Sequence, residues 1–255
     1  MSRVFGWCAG AAWMLAAIGS FAACAVAGQA TVAVAGNFAE PARIIAERFH
    51  AASGHEIRLS AGSTGALYAQ IRKGAPYDAF LAADQERPGL LVGSGDAALG
   101  SQFTYAIGRL VLWSRDPGFL EGGGEATLRR GAFRHLAIAN PKLAPYGAAA
   151  VQVLSALGVL EQVSGKLVQG QNVGQAYQFV ASGSAPLGLV ALSQVSGKFE
   201  GARWVVPGSL HDPIRQDAVL LRHGAANSAA ADFLAFLRSD GVKSMLETFG
   251  YGAGS

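Results

Sequence analysis

The chain has 255 residues, of which 51% are hydrophobic, and its 20 Lys and Arg residues against 17 Asp and Glu residues give a formal net charge of +3. No block of five or six like charges occurs, and aromatic residues do not alternate with a basic stripe, so nucleic-acid binding is disfavoured. The length suffices for two small lobes or one large domain that is stabilised by its own hydrophobic core.

The N-terminal residues 1–27 predict a secretory signal peptide rather than part of the fold. Arg3 precedes a long apolar run, and the small residues of "AVAG" place a cleavage site near Ala27. An uncleaved membrane anchor and lipidation at Cys24 remain alternatives. Both cysteines, Cys8 and Cys24, lie in this segment, so the exported chain would contain no disulfide and would depend on its core.

After the leader, short apolar runs alternate with helical patterns. This alternation predicts βαβ units and parallel sheets that are covered by helices on both faces. The less specific interpretation is a secreted α/β domain of unassigned use. One β-rich run, 103–114, is long enough to cross from one lobe to another. In chain order, strands are predicted at 31–36, 55–62, 77–84, 103–114, 135–141, in the first half of 186–195 and at 216–222, and helices at 37–54, 63–74, 146–158, 172–183 and, as a pair, within 228–251.

The first helix carries its own start and stop signals. Asn37 is a good N-cap residue, and Glu40 follows at the spacing of a capping box. Pro41 falls in the first turn, where its missing N–H is tolerated. Gly54 is expected to end the helix.

Four predicted strand-to-helix junctions share small or polar residues. In open α/β sheets, ligands bind beyond the carboxyl ends of the strands. Helix N-termini offer unpaired N–H groups and a partial positive charge. If the four junctions converge, they form an anion site that needs no charged side chain. The pairs of residues at these junctions are Gly36 and Asn37, Ser63 and Thr64, Tyr146 and Gly147, and Asn172 and Val173.

The stretch "GSTG" at 62–65 also invites enzyme interpretations. It lacks the G-x-S-x-G spacing of a nucleophile elbow, and no Lys follows as in a P-loop. A helix cap by Ser63 or Thr64 is the simplest alternative, and it does not exclude anion binding. The five histidines show no metal-binding spacing, so no free metal ion is expected. A secreted serine hydrolase that uses Ser63 and a histidine remains an alternative.

Six blocks of the sequence, in order, resemble one known family. The sequence resembles the periplasmic molybdate-binding proteins of ABC importers, and the resemblance covers essentially the whole chain after the leader. The matching blocks are "VAGNF", "SAGSTGALYAQIRKGAPYDAFLAAD", "FTYAIGRLVLWS", "IANPKLAPYGAAAVQVL", "NVGQAYQFVASGSAPLGLVAL" and "FLAFLRSDGVKSMLETFGY".

The resemblance implies a type II periplasmic-binding fold, in which two α/β lobes are joined by two crossing strands. The lobes would comprise 28–107, 108–217 and, returning to the first lobe, 218–255. It further implies a monomeric periplasmic receptor, not an enzyme and without a cofactor. Such a receptor captures molybdate or tungstate and delivers it to the permease of an ABC transporter. A receptor for another tetrahedral oxyanion, such as sulfate or phosphate, is the nearest alternative.

The same resemblance implies which residues hold the oxyanion. Neutral donors at helix starts would bind it without a counter-ion. At position 191 many members have a Tyr whose hydroxyl reaches the ligand, so Ala191 removes one donor, which Asn37 would replace. The implied site residues are Asn37, Ser63 and Thr64 through their side chains, Tyr146 and Val173 through their backbone N–H groups, and Gly36, Asn172 and Ala191 as neighbours.

Overall fold

The computed structural model describes residue 2, residues 27–197 and residues 201–253. The predicted signal peptide, with its cleavage and lipidation alternatives, therefore lies almost wholly outside the described residues. Within the part of the chain that is described, no helix is long and apolar enough to cross a membrane.

Strands and helices alternate along most of the chain, as the sequence predicts. The strands are β1 (Gln29–Ala35), β2 (Glu56–Gly62), β3 (Ala79–Leu81), β4 (Phe103–Gly108), β5 (Leu110–Ser114), β6 (Leu136–Ala139), β7 (Leu167–Gly170), β8 (Leu187–Ala191), β9 (Ala202–Val205), β10 (Ile214–Leu220) and β11 (Gly252–Ala253). The helices are α1 (Ala39–Ser53), α2 (Thr64–Arg72), α3 (Glu86–Gly93), α4 (Gly124–Arg130), α5 (Pro145–Ala156), α6 (Leu160–Val163), α7 (Val173–Ala181), α8 (Leu192–Val195), α9 (Ser228–Leu237) and α10 (Asp240–Thr248).

The strands form two sheets, one in each lobe. The first has the order β11-β4-β10-β3-β1-β2, and the second has the order β7-β6-β8-β5-β9. In each sheet the strands that belong to βαβ units pair in parallel, β1 with β2 and β3, and β6 with β7 and β8. The strands next to the crossings, β4, β5 and β10, pair antiparallel with their neighbours. The predicted two-lobed α/β fold is confirmed, and both sheets are mixed because β10 in the first sheet and β5 in the second run against the βαβ strands.

The chain crosses between the two sheets twice. The run predicted at 103–114 is divided at Arg109, so β4 belongs to the first sheet and β5 to the second. The chain returns between β9 and β10, and β10 pairs with β3 and β4 along its length. The predicted lobe boundaries remain a prediction. If the lobes were divided by sheet membership, the boundary predicted between residues 217 and 218 would move to a position before Ile214, because β10 belongs to the first sheet.

Helix α1 begins one residue later than expected. Phe38, not Asn37, occupies the N-cap position, and no side chain caps the helix. The predicted capping box is wrong because the Asn37 amide donates to Gln216 and Tyr251 instead. The predicted end is confirmed: Gly54 has a φ of 76°, a left-handed conformation that glycine adopts without a steric penalty.

The C-terminal helices complete the first lobe. Phe233 of α9 and Leu246 of α10 belong to the same buried cluster as Val32 and Val34 of β1. Burying each such side chain contributes roughly 1.5–3 kcal/mol. The last helices therefore anchor the returning chain and bring Tyr251 back to the centre of the molecule, where it is 4% exposed.

Candidate ligand-binding site between the lobes

A small pocket lies where strands of both sheets end and helices begin. It is narrow, with about 10 Å³ open to the centre of a water molecule, and no charged side chain lines it. First-lobe residues after β1 and β2 form one wall, and the starts of α5 and α7 form the other. Ala191, which ends β8, does not line the pocket. The structure brings together seven of the eight predicted residues there: Gly36, Asn37, Ser63, Thr64, Tyr146, Asn172 and Val173.

The hydroxyls of Ser63 and Thr64 form part of the first-lobe wall. Ser63 occupies the N-cap position of α2 with extended backbone, yet its hydroxyl makes no cap hydrogen bond. The Thr64 hydroxyl accepts from the N–H of Ala83 at 3.0 Å, which leaves its own proton to donate. No described residue accepts from either hydroxyl, and both side chains are buried. Both O–H groups therefore remain available to a ligand.

The second-lobe wall supplies backbone donors. Tyr146 lies in the first turn of α5 and Val173 begins α7, so neither N–H has a carbonyl within its own helix. Elsewhere among the described residues, no group accepts from these two N–H groups. Asn172 is occupied differently, because its side-chain oxygen caps α7 by accepting from the N–H of Gln175 at 3.0 Å.

The Asn37 amide is turned towards the protein. Its Nδ2 donates to Oε1 of Gln216 at 2.9 Å and to the Tyr251 hydroxyl at 3.1 Å. Its Oδ1 is buried, and no described residue donates to it. In this orientation, the side chain predicted to donate to an anion presents an acceptor that lacks a partner.

Direct hydrogen bonds join the two lobes around the pocket. The N–H of Gly65 in α2 donates to the carbonyl of Leu143 at 2.8 Å. The Ser193 hydroxyl in α8 donates to the carbonyl of Asn37 at 3.0 Å. Such contacts exist only when the lobes are close, so the structure represents a closed arrangement.

Three buried tyrosine hydroxyls contact the polar residues at the pocket: that of Tyr251 contacts Asn37, and those of Tyr105 and Tyr146 contact Gln216. Burial raises the pKa values of Tyr105 and Tyr146 well above that of a free phenol, and nearby phenol groups raise them further. Burial likewise raises the pKa of Tyr251, against the hydrogen bonds of Ser193 and Asn37. All three hydroxyls therefore stay protonated at neutral pH and can both donate and accept.

The profile of the bacterial extracellular solute-binding proteins matches residues 30–252. The chain belongs to this family. Among the relatives in the family are two molybdate-binding proteins. The protein of Azotobacter vinelandii is 50% identical over 237 residues, covering 92% of this chain and 94% of its own. The protein of Rhodobacter capsulatus is 47% identical, covering 93% of each chain.

A solved structure shows the same fold. The periplasmic molybdate-binding protein of Azotobacter vinelandii superposes with a TM-score of 0.85 at 39% identity, over 89% of this chain and 100% of its own. In a solute-binding family, the cleft between the lobes is the expected place for a ligand, because closure buries it between two walls. The pocket described above lies in this cleft.

Sequence reasoning missed the polar residues behind the pocket. Gln216, Tyr251 and Ser193 are buried and hydrogen-bonded to Asn37. Gln216 stands in a strand that ends in the apolar run 218–220, and this was a signal, since a buried amide needs partners. Tyr251 gave no local signal, because its partner Asn37 lies 214 residues earlier in the chain.

Proposed function

We propose that this protein captures molybdate, and tungstate as well, in the pocket between its lobes. The observation that carries the proposal is a pocket lined by helix starts and hydroxyls, with no charged side chain. The two relatives that are about half identical bear the name of molybdate-binding proteins, which supports the same ligand here.

The proposed donors suit a dianion. Hydrogen bonds to an ionised acceptor are shorter and stronger than neutral ones, so several together can replace a counter-ion. The side-chain hydroxyls of Ser63 and Thr64 and the N–H groups of Tyr146 and Val173 would each bind an oxygen. Fixed neutral donors discriminate by size and protonation state, because a protonated oxygen would turn its own O–H towards a donor. Sulfate is smaller and would reach fewer donors, whereas tungstate is nearly the size of molybdate.

The remaining parts of the proposal concern transport. The protein would be exported to the periplasm after cleavage near Ala27 and would act as a monomer. Molybdate would favour the closed arrangement, because a ligand touched by both lobes binds that state more tightly. The closed, loaded form would then be recognised by the permease of an ABC transporter.

Neither alternative gains support from a specific observation. A serine hydrolase needs a histidine within hydrogen-bond reach of its nucleophile. Among the described residues, no histidine bonds to Ser63; His55, for instance, accepts from the N–H of Gly28 and lies beside Asp232. Sulfate and phosphate receptors would use the same kind of donors, so they are compared directly in the test.

The test is calorimetric titration of the protein lacking residues 1–27 with molybdate, tungstate, sulfate and phosphate. We expect saturable heat for molybdate and tungstate and none for sulfate or phosphate at the same concentrations. Tight sulfate binding would reassign the ligand within the oxyanions. No binding of any oxyanion would overturn the proposal.

A further inference from the structure

Gln216 is a fully buried polar residue that joins both walls of the pocket without lining it. Its Oε1 accepts from Nδ2 of Asn37 at 2.9 Å and lies 3.0 Å from the Tyr105 hydroxyl, whose single proton is shared between this oxygen and the Ala82 carbonyl. Its Nε2 donates to the Tyr146 hydroxyl at 3.3 Å. Asn37 belongs to the first-lobe wall and Tyr146 to the second, so one amide contacts residues of both.

The space around this amide is kept open by Gly108 at the end of β4. A Cβ there would overlap the Tyr146 hydroxyl and lie 2.6 Å from Nε2 of Gln216. Strand β10 also shifts its register against β4 directly after Gln216. The crossing strands are thus shaped around this side chain.

The present orientation of the Gln216 amide determines whether Asn37 has its Nδ2 or its Oδ1 left for a ligand. Because Oε1 of Gln216 needs a donor, Asn37 turns Nδ2 towards it and keeps Oδ1 without a donor among the described residues. A lone acceptor repels a fully deprotonated oxyanion. Of its two amide orientations, Asn37 therefore has the one that suits a dianion less.

A half-turn of both amides reverses this and keeps both amides bonded, although the Tyr251 proton must leave its present acceptor, the Asn37 carbonyl at 2.9 Å or the Ser193 hydroxyl at 3.0 Å. Nε2 of Gln216 would then donate to Oδ1 of Asn37 and to Tyr105, whose proton would go to the Ala82 carbonyl at 3.0 Å. The hydroxyl of Tyr146 would donate to Oε1 of Gln216. The Tyr251 hydroxyl would donate to Oδ1 of Asn37, and Nδ2 would be released towards the pocket.

Neither amide can turn alone. If only Asn37 turned, its Oδ1 would face Oε1 of Gln216 at the present 2.9 Å spacing, with no proton between two acceptors. If only Gln216 turned, two amide nitrogens would face each other. The orientation of Gln216 and the chemistry that Asn37 presents are therefore coupled.

We propose that Gln216 is a positioning residue whose amide orientation selects whether Asn37 presents a donor or an acceptor to the ligand, and that a dianion draws both amides into the donor orientation. This role rests on the proposed function, that the pocket takes a fully deprotonated oxyanion. Gln216 acts only through Asn37, so its effect must vanish when Asn37 cannot donate.

The test is a double-mutant cycle on molybdate affinity with wild type, Gln216→Met, Asn37→Ala and the double variant. Each single substitution should weaken binding about 10- to 100-fold, the range for losing a hydrogen bond to a charged group. The double variant should bind within about twofold of Asn37→Ala, because coupled residues are not additive. Wild-type affinity in Gln216→Met, or a loss that adds in full to that of Asn37→Ala, would overturn the positioning role.

A matched control is Gln152→Met, which makes the same substitution at a residue whose side chain, within the described part of the chain, bonds only to Asp212. It should bind molybdate like wild type. If wild type itself fails to bind molybdate, the proposed function falls and this role falls with it. If wild type binds and the cycle is additive, only the role of Gln216 falls.

A second measurement needs no variant to fold. In amide spectra of the ¹⁵N-labelled protein, the side-chain NH₂ signals of both Asn37 and Gln216 should shift on adding molybdate. Those of Gln162, which donates to the distant carbonyl of Arg129, should stay in place. A shift confined to Asn37 would show that Gln216 does not turn with it and would overturn the proposal.

Discussion

At the scale of single residues, the pocket depends on polar groups that the fold leaves unused. The side chain of Asn172 caps α7. Ser63 is the N-cap residue of α2, but its hydroxyl makes no cap hydrogen bond. A missing cap costs about 1 kcal/mol of stability. Ser239 at the start of α10 also lacks a cap bond, but only Ser63 lines the pocket, where its hydroxyl is open to a ligand. Sequence identified Ser63 and Thr64 as a pair; only the structure distinguishes their environments.

This difference predicts two distinct phenotypes. Ser63→Ala should weaken molybdate binding by about 1.5–3 kcal/mol and leave the melting temperature unchanged, because the hydroxyl supports no structural bond. Thr64→Ala should weaken binding similarly and also lower stability by about 1–3 kcal/mol, since it leaves the Ala83 N–H unpaired. Calorimetry and thermal denaturation measure the two quantities.

Ser239→Ala is the control for Ser63→Ala, because Ser239 begins α10 with the same extended backbone and likewise makes no cap bond. It should change neither affinity nor stability. Equal affinity loss in Ser239→Ala and Ser63→Ala would contradict a specific role for Ser63.

At the scale of elements, sequence patterns located the helix starts that carry the site but not every cap. Asn172 caps α7 as its spacing suggests, because α7 follows β7 closely and nothing competes for the side chain. Asn37 fails as a cap because two buried partners, distant in sequence, compete for its amide. Local propensity therefore predicts an element where its neighbours are apolar and fails where long-range polar contacts override it.

The first turn of helix α5 packs closely against the end of β6. A Cβ on Gly147 would overlap the Ala139 carbonyl oxygen at the end of β6. Gly147→Ala must therefore displace the first turn of α5 and with it the N–H of Tyr146. We expect molybdate affinity to fall at least tenfold and stability to fall by about 1–3 kcal/mol, as for other overpacked sites.

Gly241→Ala provides the comparison, since no atom lies within 4 Å of a Cβ in this α10 position. Replacing a helical glycine there should raise stability by about 0.5–1 kcal/mol and leave binding unchanged. If Gly147→Ala binds like Gly241→Ala, the start of α5 is not part of the site.

At the scale of the whole molecule, the polar centre joins parts of the chain that no local pattern connects. Asn37 meets Gln216 across 179 residues and Tyr251 across 214. Strand and helix periods are local, so they predicted the alternating α/β units, whereas the two lobes were implied by the resemblance to a known family. The pocket was predicted because strand ends meet at one edge of a sheet. Sequence alone could not predict this network, since its partners meet only after both crossings and the C-terminal helices are in place.

The buried tyrosines of this polar network make the folded protein less stable at alkaline pH. An unfolded tyrosine has a pKa of about 10, whereas burial raises the folded pKa of Tyr105, Tyr146 and Tyr251. Above pH 10 the unfolded chain therefore loses these protons first and binds fewer than the native protein. Stability is complete below the unfolded pKa and should fall by up to about 1.4 kcal/mol per pH unit for each group above it.

Urea unfolding between pH 8 and pH 11.5 would measure this slope. Tyr105→Phe should lower stability at pH 8, because it removes hydroxyl bonds to Ala82 and Gln216, and should make the alkaline decline shallower by one group. If the free energy of unfolding of Tyr105→Phe declined with pH as steeply as that of wild type, the Tyr105 phenol would not contribute to the decline. The buried polar network would then open to water before the chain unfolds.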